Sequence, residues 1–184
     1  MPTRFHYELA ADFVAAGAVI AYPTEGVYGL GCDPDDSAAV ARILDIKQRS
    51  WRQGLILIAS TIEQLDPYLG NLDSRQRNRI AVPGLDPVTW IAPASVHAPD
   101  WLTGGRATIA VRLTTHPVAA ALCDACASAL VSTSANISGR AAARSALAVR
   151  KQLGSAVDYV LVGQVGELGG ATPISDLLTG KRLR

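Results

Sequence analysis

The chain has 184 residues, of which 49% are hydrophobic and 18% are charged, and its formal net charge is +1. This length and composition fit one domain with a sizeable hydrophobic core, which excludes an intrinsically disordered protein. The low net charge excludes a polycation, so any phosphate or nucleic-acid partner must meet a local cluster of positive charge.

The N-terminal residues lack the apolar core of a signal peptide, and no apolar run approaches the roughly 20 residues of a membrane span. The 3 cysteines are too few for a disulfide framework at this length, which is typical of a reducing compartment. We therefore expect a cytoplasmic protein that has no membrane segment.

Ala- and Leu-rich segments carry apolar residues at helical spacing. In the first of them, Leu9, Phe13 and Ala16 share one face, and Gly17 is the predicted stop. The turn 33–37 is predicted to cap a second helix. The apolar face of that second helix consists of Val40, Ile43, Leu44 and the aliphatic stem of Lys47. Further helical segments are predicted over 62–80 (a weaker region broken by Pro67 and Gly70), 116–127 and 145–153.

Short apolar runs between the helices are predicted to be strands, and the run 54–59 is typical of a strand buried on both faces of a sheet. The predicted strands are 18–22, 54–59, 88–92, 108–113, 130–132 and 157–162. Residues 83–87 are expected to turn into the third strand, and 93–106 to form a long loop. The alternation predicts a single α/β domain over residues 1–184, with a mixed parallel and antiparallel central sheet flanked by helices.

Several familiar motifs are absent or explained without function. The sequence contains no P-loop, and its glycines do not follow the dinucleotide-binding order. Cys123 and Cys126 fall inside a predicted helix, where two small core residues are the better interpretation. Asp33, Asp35 and Asp36 are better explained as helix-capping residues than as metal ligands, so no metal site is predicted.

The first functional candidate is the segment 21–31, where a strand ends at Pro23. Thr24 and Glu25 follow, and a glycine-rich turn comes next. Strand ends are where α/β proteins place ligands. The alternative is a turn whose polar side chains cap nearby backbone groups.

The second candidate is a basic cluster at a helix end. Between Arg42 and Arg52 the chain has four cations, including Lys47 and Arg49, and one anion, Asp45. A lysine point charge beside a forked arginine could clamp a phosphate. A solvated basic helix end, favoured by the helix dipole, remains the alternative.

Two more candidates follow buried strands. In the segment 131–139, five hydroxyl or amide side chains lie within seven positions and could surround a phosphate or ribose. The alternative is a turn that caps the next element. Arg112 closes the strand 108–113 and needs an anionic partner, either an Asp or Glu of this chain or a substrate carboxylate.

These segments occur in one order: P-T-E-x-x-x-G-L-G, K-x-R before G-L-I-L-I, P-V-T, A-V-R followed by H-P, and S-T-S-A-N-x-S-G. In this the chain resembles the YrdC/TsaC family from about Val19 to its last residue, and its length resembles the short bacterial TsaC type. The resemblance implies a twisted mixed α/β sheet with a concave basic face. It also implies a nucleotidyltransferase that makes threonylcarbamoyl-AMP and pyrophosphate from L-threonine, bicarbonate or CO2, and ATP.

The resemblance further implies roles for individual residues. The residues expected to contact ATP are Lys47, Arg49, Thr108, Ser134, Asn136 and Arg184, with Lys47 and Arg49 as catalytic residues. Those expected to hold threonine are Thr24, Arg112, Ser132 and Thr172. Mg²⁺ is expected to arrive with ATP, held mainly by phosphates and water. The expected partners are proteins that pass the threonylcarbamoyl group to an adenosine beside the tRNA anticodon, and direct contact with tRNA is left open.

The chain departs from the family pattern at three places. Gln53 stands where a second phosphate lysine is common, and Arg52, one position earlier, is a candidate substitute. The loop 83–89 is two residues longer than the usual P-G-P-V-T. Gly26 and Ile58 replace a threonine and a histidine of some longer relatives, so those contacts do not transfer.

Two other functions compete with this one. A non-catalytic module for tRNA or double-stranded RNA could use Arg75, Arg77 and Arg79 together with the run 47–52, although an aromatic platform is lacking. A related carbamoyl-adenylate enzyme, such as the YrdC-like part of hydrogenase maturation proteins, is the other alternative. Those proteins carry zinc-finger and acylphosphatase-like regions that are missing here.

Overall fold

Six helices and eight strands make up the described part of a computed structural model, which covers residues 1–82, 87–170 and 172–184. The helices are α1 (Arg4–Ala15), α2 (Ser37–Lys47), α3 (Ser74–Ala81), α4 (Asp100–Thr103), α5 (Pro117–Cys126) and α6 (Ala146–Leu153). The strands are β1 (Ile20–Pro23), β2 (Tyr28–Gly31), β3 (Ile56–Ala59), β4 (Thr89–Pro93), β5 (Thr108–Leu113), β6 (Leu130–Ser134), β7 (Tyr159–Val160) and β8 (Ile174–Asp176). Apart from Pro87, the turn predicted over 83–87 lies outside the described residues.

The strands form one sheet in the order β7-β1-β2-β6-β3-β5-β4-β8. The pairs β1–β7, β3–β5 and β4–β8 are parallel. The pairs β1–β2, β2–β6, β3–β6 and β4–β5 are antiparallel. The predicted mixed sheet is therefore confirmed.

Both faces of the sheet are buried under helices. On one face Ile43 of α2 packs in the same core as Leu57 of β3. On the other face Leu122 of α5 packs with Ile58, the next residue of β3. Successive strand side chains point to opposite faces, so one strand contributes to both cores. This confirms the prediction of a strand buried on both sides.

Helix boundaries agree with the sequence where a polar side chain caps the first turn. Asp36 accepts hydrogen bonds from the amides of Ala38 and Ala39 at the start of α2, which confirms its capping role. His116 and Ser145 cap α5 and α6 in the same way.

Within the described ranges, no helix has the length and apolarity needed to cross a bilayer.

The glycine-rich segment 26–31 differs from its prediction, because it contains strand β2 as well as a turn. The strand pairs antiparallel with both β1 and β6. Its glycines permit close approach: a Cβ on Gly31 would lie 2.5 Å from the Val131 carbonyl oxygen and 2.7 Å from the Tyr22 ring. The glycines that predicted a turn therefore also permit tight packing between neighbouring strands.

Three smaller differences concern short elements. The predicted loop 93–106 contains α4, and the end of the chain contributes β8 beside β4. The predicted strand 157–162 pairs only over Tyr159–Val160. Ala16, predicted on the buried face of the first helix, is exposed just beyond its end. Such short elements depend on their neighbours in the sheet more than on their own sequence pattern.

Candidate active site

A cavity of about 420 Å³ opens beside the turn between β1 and β2 and the strands β3, β5 and β6. Eight residues predicted from the sequence line it: Thr24, Arg49, Thr108, Arg112, Ser132, Ser134, Thr172 and Arg184. The strand register explains why distant segments meet here. Gly29 of β2 lies opposite Ser134 of β6, and Ser132 lies opposite Ile56 of β3.

One end of the cavity holds a buried ion pair. Arg112 Nη2 lies 3.2 Å from Glu25 Oε2, and both residues are almost fully buried. Arg112 Nη1 donates to Thr172 Oγ1 at 2.6 Å, and Thr114 Oγ1 donates to Glu25 Oε1 at 2.6 Å. The sequence left open whether Arg112 faces a carboxylate of this chain, and the structure supplies Glu25.

The Glu25 carboxylate stays ionised in this setting. Burial raises its pKa, but the Arg112 charge and the Thr114 hydrogen bond outweigh burial, so the pKa of Glu25 is lower than usual. The role of Glu25 in pairing Arg112 was missed by sequence reasoning, although it follows Thr24 directly. The ion pair leaves this end of the cavity close to neutral and lined by the hydroxyls of Thr24, Ser132 and Thr172.

Lys47, Ser134 and Asn136 come together behind this lining. Lys47 Nζ lies 2.5 Å from the Ser134 carbonyl oxygen, and 3.1 Å from both the carbonyl oxygen and Oδ1 of Asn136. In the other direction, Ser138 donates through its amide and its hydroxyl to the Lys47 carbonyl oxygen. The hydrogen bonds of the Lys47 ammonium group therefore link the turn after β6 to the end of α2.

Lys47 and Asn136 are not among the residues that line the cavity, whereas Ser134 is. Lys47 is only 3% exposed, and burial together with the charge of Arg49 lowers the pKa of Lys47 to about 8. Three oxygen atoms around the three ammonium protons leave little donor capacity for a ligand. Its predicted contact with ATP remains a prediction.

The other end of the cavity is basic. Arg49, Arg106 and Arg184 all line it. Burial lowers the pKa of Arg49, and the neighbouring charges of Arg184 and Arg106 lower it further. Across residues 1–82, 87–170 and 172–184, no Asp or Glu oxygen lies within 4.0 Å of these three guanidinium groups. An anionic ligand would satisfy this positive charge.

Arg106 was missed by sequence reasoning. Its signal was its position after Gly104 and Gly105, just before β5. Arg52, the candidate substitute at the helix end, is not in the lining: its guanidinium stacks on the Trp51 ring, 4.8 Å from the centroid.

The donor set does not form a resident Mg²⁺ site. Glu25 is the one carboxylate among the described lining residues, and it is already paired with Arg112. A hard divalent cation prefers several oxygen ligands, and the described lining residues offer no unpaired carboxylate to hold one. Cys123 is buried in α5, and burial raises its thiol pKa, in agreement with a core role.

Comparisons with known proteins agree on one family. The Sua5/YciO/YrdC family, described as "Telomere recombination", matches residues 12–184. A protein of Nitrosococcus oceani named threonylcarbamoyl-AMP synthase is 51% identical over 181 residues, which is 98% of each chain. A protein of Halorhodospira halophila with the same name is 51% identical over 180 residues, covering 98% of this chain and 94% of the relative.

A solved structure supports the same grouping. The P. abyssi Sua5 structure complexed with L-threonine superimposes with a TM-score of 0.88 at 30% identity, covering 99% of this chain. This chain spans about half of that longer protein, 54% of its length. Sequence and fold together show that the chain belongs to the Sua5/YciO/YrdC family.

Proposed function

We propose that this chain is a threonylcarbamoyl-AMP synthase, a nucleotidyltransferase that uses L-threonine, bicarbonate or CO2, and ATP. The single observation that carries the proposal is one cavity with a nearly neutral ion-pair end and a basic end. The names of its relatives at 51% identity support the same activity. An amino acid suits the first end, and a nucleotide polyphosphate suits the second.

Threonine would bind at the end that holds Arg112. Its carboxylate would take the Arg112 face that Glu25 and Thr172 leave open, and its hydroxyl would meet Thr24 or Ser132. Because Glu25 already neutralises much of the Arg112 charge, an amino acid with one positive and one negative group fits better than a dianion. This arrangement orients threonine for reaction at its nitrogen.

The chemistry needs two anions brought together. The ammonium group of threonine first releases a proton to solvent, and the free amine and bicarbonate then give the N-carboxylate with loss of water. A carboxylate oxygen of that group then attacks the α-phosphate of ATP in line, forming an O–P bond while the bond to the β-phosphate oxygen breaks and pyrophosphate leaves. Arg49 and Arg184 would offset the charge of the phosphates, and Ser134 and Thr108 would orient the nucleotide.

The adenylate is a reactive acyl phosphate, so we propose that other proteins consume it. These partner proteins would transfer the threonylcarbamoyl group to an adenosine beside the tRNA anticodon. A cytoplasmic location follows from the same proposal, because ATP and tRNA must both be present.

The test is an incubation of the purified chain with ATP, Mg²⁺, L-threonine and bicarbonate. Pyrophosphate release is measured while the adenylate is detected by mass. We expect release that requires both threonine and bicarbonate, with a product of the mass of threonylcarbamoyl-AMP. Pyrophosphate release that is independent of threonine, or none at all, would contradict the proposal.

Two of the three arginines of α3 give the RNA-binding alternative no support. Arg77 is paired with Asp66 at 2.6 Å, and Arg79 stacks on Trp90 and donates to the Leu177 carbonyl. These charges are engaged within the protein, which reduces an electrostatic footprint for RNA.

A further inference from the structure

Arg106 is an exposed arginine that the protein holds in a fixed position. Its Nη1 donates to the Arg52 carbonyl oxygen at 2.7 Å, and its Nη2 donates to the Gln53 carbonyl oxygen at 2.9 Å. Fixing a surface arginine in one conformation costs side-chain conformational entropy. A favourable interaction must therefore compensate for that cost.

The surroundings of Arg106 leave no room for other side chains. A Cβ on Gly54 would lie 2.6 Å from Arg106 Nη2, and a Cβ on Gly104 would lie 2.8 Å from the same atom. The guanidinium therefore occupies a slot between two glycines and two carbonyl groups. We call this the Arg106 slot, formed by residues 52–54 and Gly104.

Arg106 lines the cavity, and the hydrogen bonds within the slot do not neutralise its positive charge. Carbonyl oxygens accept hydrogen bonds but carry no net charge, and no carboxylate within the described ranges lies within 4.0 Å of Arg106. Arg106 lines the same cavity as Arg49 and Arg184, and the charges of Arg106 and Arg184 both act on Arg49. Bringing three such groups together is unfavourable unless a polyanion binds between them.

We propose that Arg106 binds the polyphosphate part of the nucleotide, in a preformed three-arginine site with Arg49 and Arg184. The inference rests on the proposed function for the identity of the nucleotide. Arg52, which stacks on Trp51, takes no part through its side chain. Because the slot orders the guanidinium before the ligand arrives, little further ordering is needed on binding.

The test compares Arg106→Met with wild type by calorimetric titration of ATP, inorganic pyrophosphate and AMP. Loss of a hydrogen bond to a charged group typically weakens binding about 10-fold to 100-fold. We expect that loss for ATP and pyrophosphate, while AMP affinity changes by less than about 2-fold because a single phosphate needs fewer cations. Arg52→Met is the matched control, and all three affinities should stay at the wild-type level.

A second variant separates a charge effect from loss of the slot. Gln53 also lines the cavity, so Gln53→Lys places a new cation there. In the Arg106→Met background we expect this lysine to restore at least part of the pyrophosphate affinity. Equal weakening of ATP, pyrophosphate and AMP with no rescue would assign Arg106 a purely structural role and overturn the inference.

The outcomes also separate this inference from the proposed function. Threonine-dependent turnover in wild type with unchanged pyrophosphate affinity in Arg106→Met overturns the inference alone. Arg106-dependent pyrophosphate binding without threonine-dependent turnover supports the three-arginine site and contradicts the synthase. If wild type binds neither ATP nor pyrophosphate, both are overturned.

Discussion

The two ends of the cavity manage positive charge in opposite ways. At one end Arg112 is buried and paired with Glu25. At the other end Arg49, Arg106 and Arg184 share a cavity wall without a described carboxylate partner. A paired charge recognises a small zwitterion with little net attraction, whereas unpaired charges attract a polyanion. Under the proposed function, the same residue type would serve two substrates because its partners differ.

The largest expected effect comes from breaking the ion pair. Arg112→Met leaves the Glu25 carboxylate buried without its partner, which typically costs about 3–5 kcal/mol of stability. The double variant Glu25→Gln with Arg112→Met removes both charges and should recover most of the free energy of unfolding. Neither variant should bind threonine. Denaturant unfolding and threonine calorimetry check both points, and threonine binding by the stable double variant would contradict the role of Arg112.

The next effect concerns a hydroxyl at the boundary between the two ends. Ser134 Oγ donates to Asn136 Oδ1 at 2.7 Å and lines the cavity. Loss of one positioned hydrogen-bonding group in an active site typically reduces the rate about 10²-fold to 10³-fold. We expect Ser134→Ala to show that loss in threonine-dependent pyrophosphate release while threonine affinity is retained. Ser155→Ala, at an exposed position in a short 3-10 helix, is the control, and an unchanged rate in Ser134→Ala would refute the assignment.

A smaller effect is expected from filling space over the ion-pair end. A Cβ on Gly26 would lie 2.2 Å from the Gly170 carbonyl oxygen, so Gly26→Ala must displace the segment 166–170. Overpacking of this kind typically costs about 1–3 kcal/mol. We expect a lower melting temperature and weaker threonine binding, with pyrophosphate binding unchanged. Gly169→Ala is the control, because a Cβ there meets nothing within 4 Å.

The smallest effect is a pH dependence of stability that comes from His116, the buried residue that caps α5. Burial lowers the pKa of His116, despite the opposing effects of its bond to the Gln164 carbonyl and of Glu25. Below about pH 6.5 the unfolded chain takes up a proton that folded His116 resists, so stability falls as the pH falls. The slope should not exceed about 1.4 kcal/mol per pH unit for this one proton.

Urea unfolding of wild type and His116→Gln between pH 5 and pH 7 measures that slope. The variant should lose it, whereas His97→Gln, a change in an exposed turn, should keep it. An identical slope in wild type and His116→Gln would assign the acid sensitivity to other groups. Below about pH 4.5 the lowered pKa of Glu25 adds a further loss of stability in the same direction.

The sequence predicted features that depend on local chemistry. Helices α2, α5 and α6 begin at polar caps that are visible in the sequence, and β5 is a run rich in β-branched residues. The polar segments that follow β1, β5 and β6 were grouped in the sequence by their resemblance to one family, and the structure brings Thr24, Arg112 and Ser132 to one cavity. Such signals need no knowledge of which strands are neighbours.

Other features depend on neighbours that a single sequence does not specify. The partner of Arg112 is Glu25, 87 positions earlier, and it was found only when β1 and β5 were placed in one sheet. In the sequence Arg106 is an ordinary loop cation, and only the structure shows that Gly54 and Gly104 lie against its guanidinium group. The ammonium group of Lys47 contacts the oxygens of the turn after β6, a set of partners that the sequence did not indicate, and its contact with ATP stays a prediction. In each case the long-range partner decides what the charge does.

The most direct test of the two-ended cavity is a set of four titrations. Threonine and pyrophosphate are each titrated into the Glu25→Gln, Arg112→Met double variant and into Arg106→Met. We predict that the double variant loses threonine binding and keeps pyrophosphate, while Arg106→Met shows the reverse pattern. Loss of both ligands in each variant, or loss of neither, would contradict the division of the cavity into an amino-acid end and a polyphosphate end.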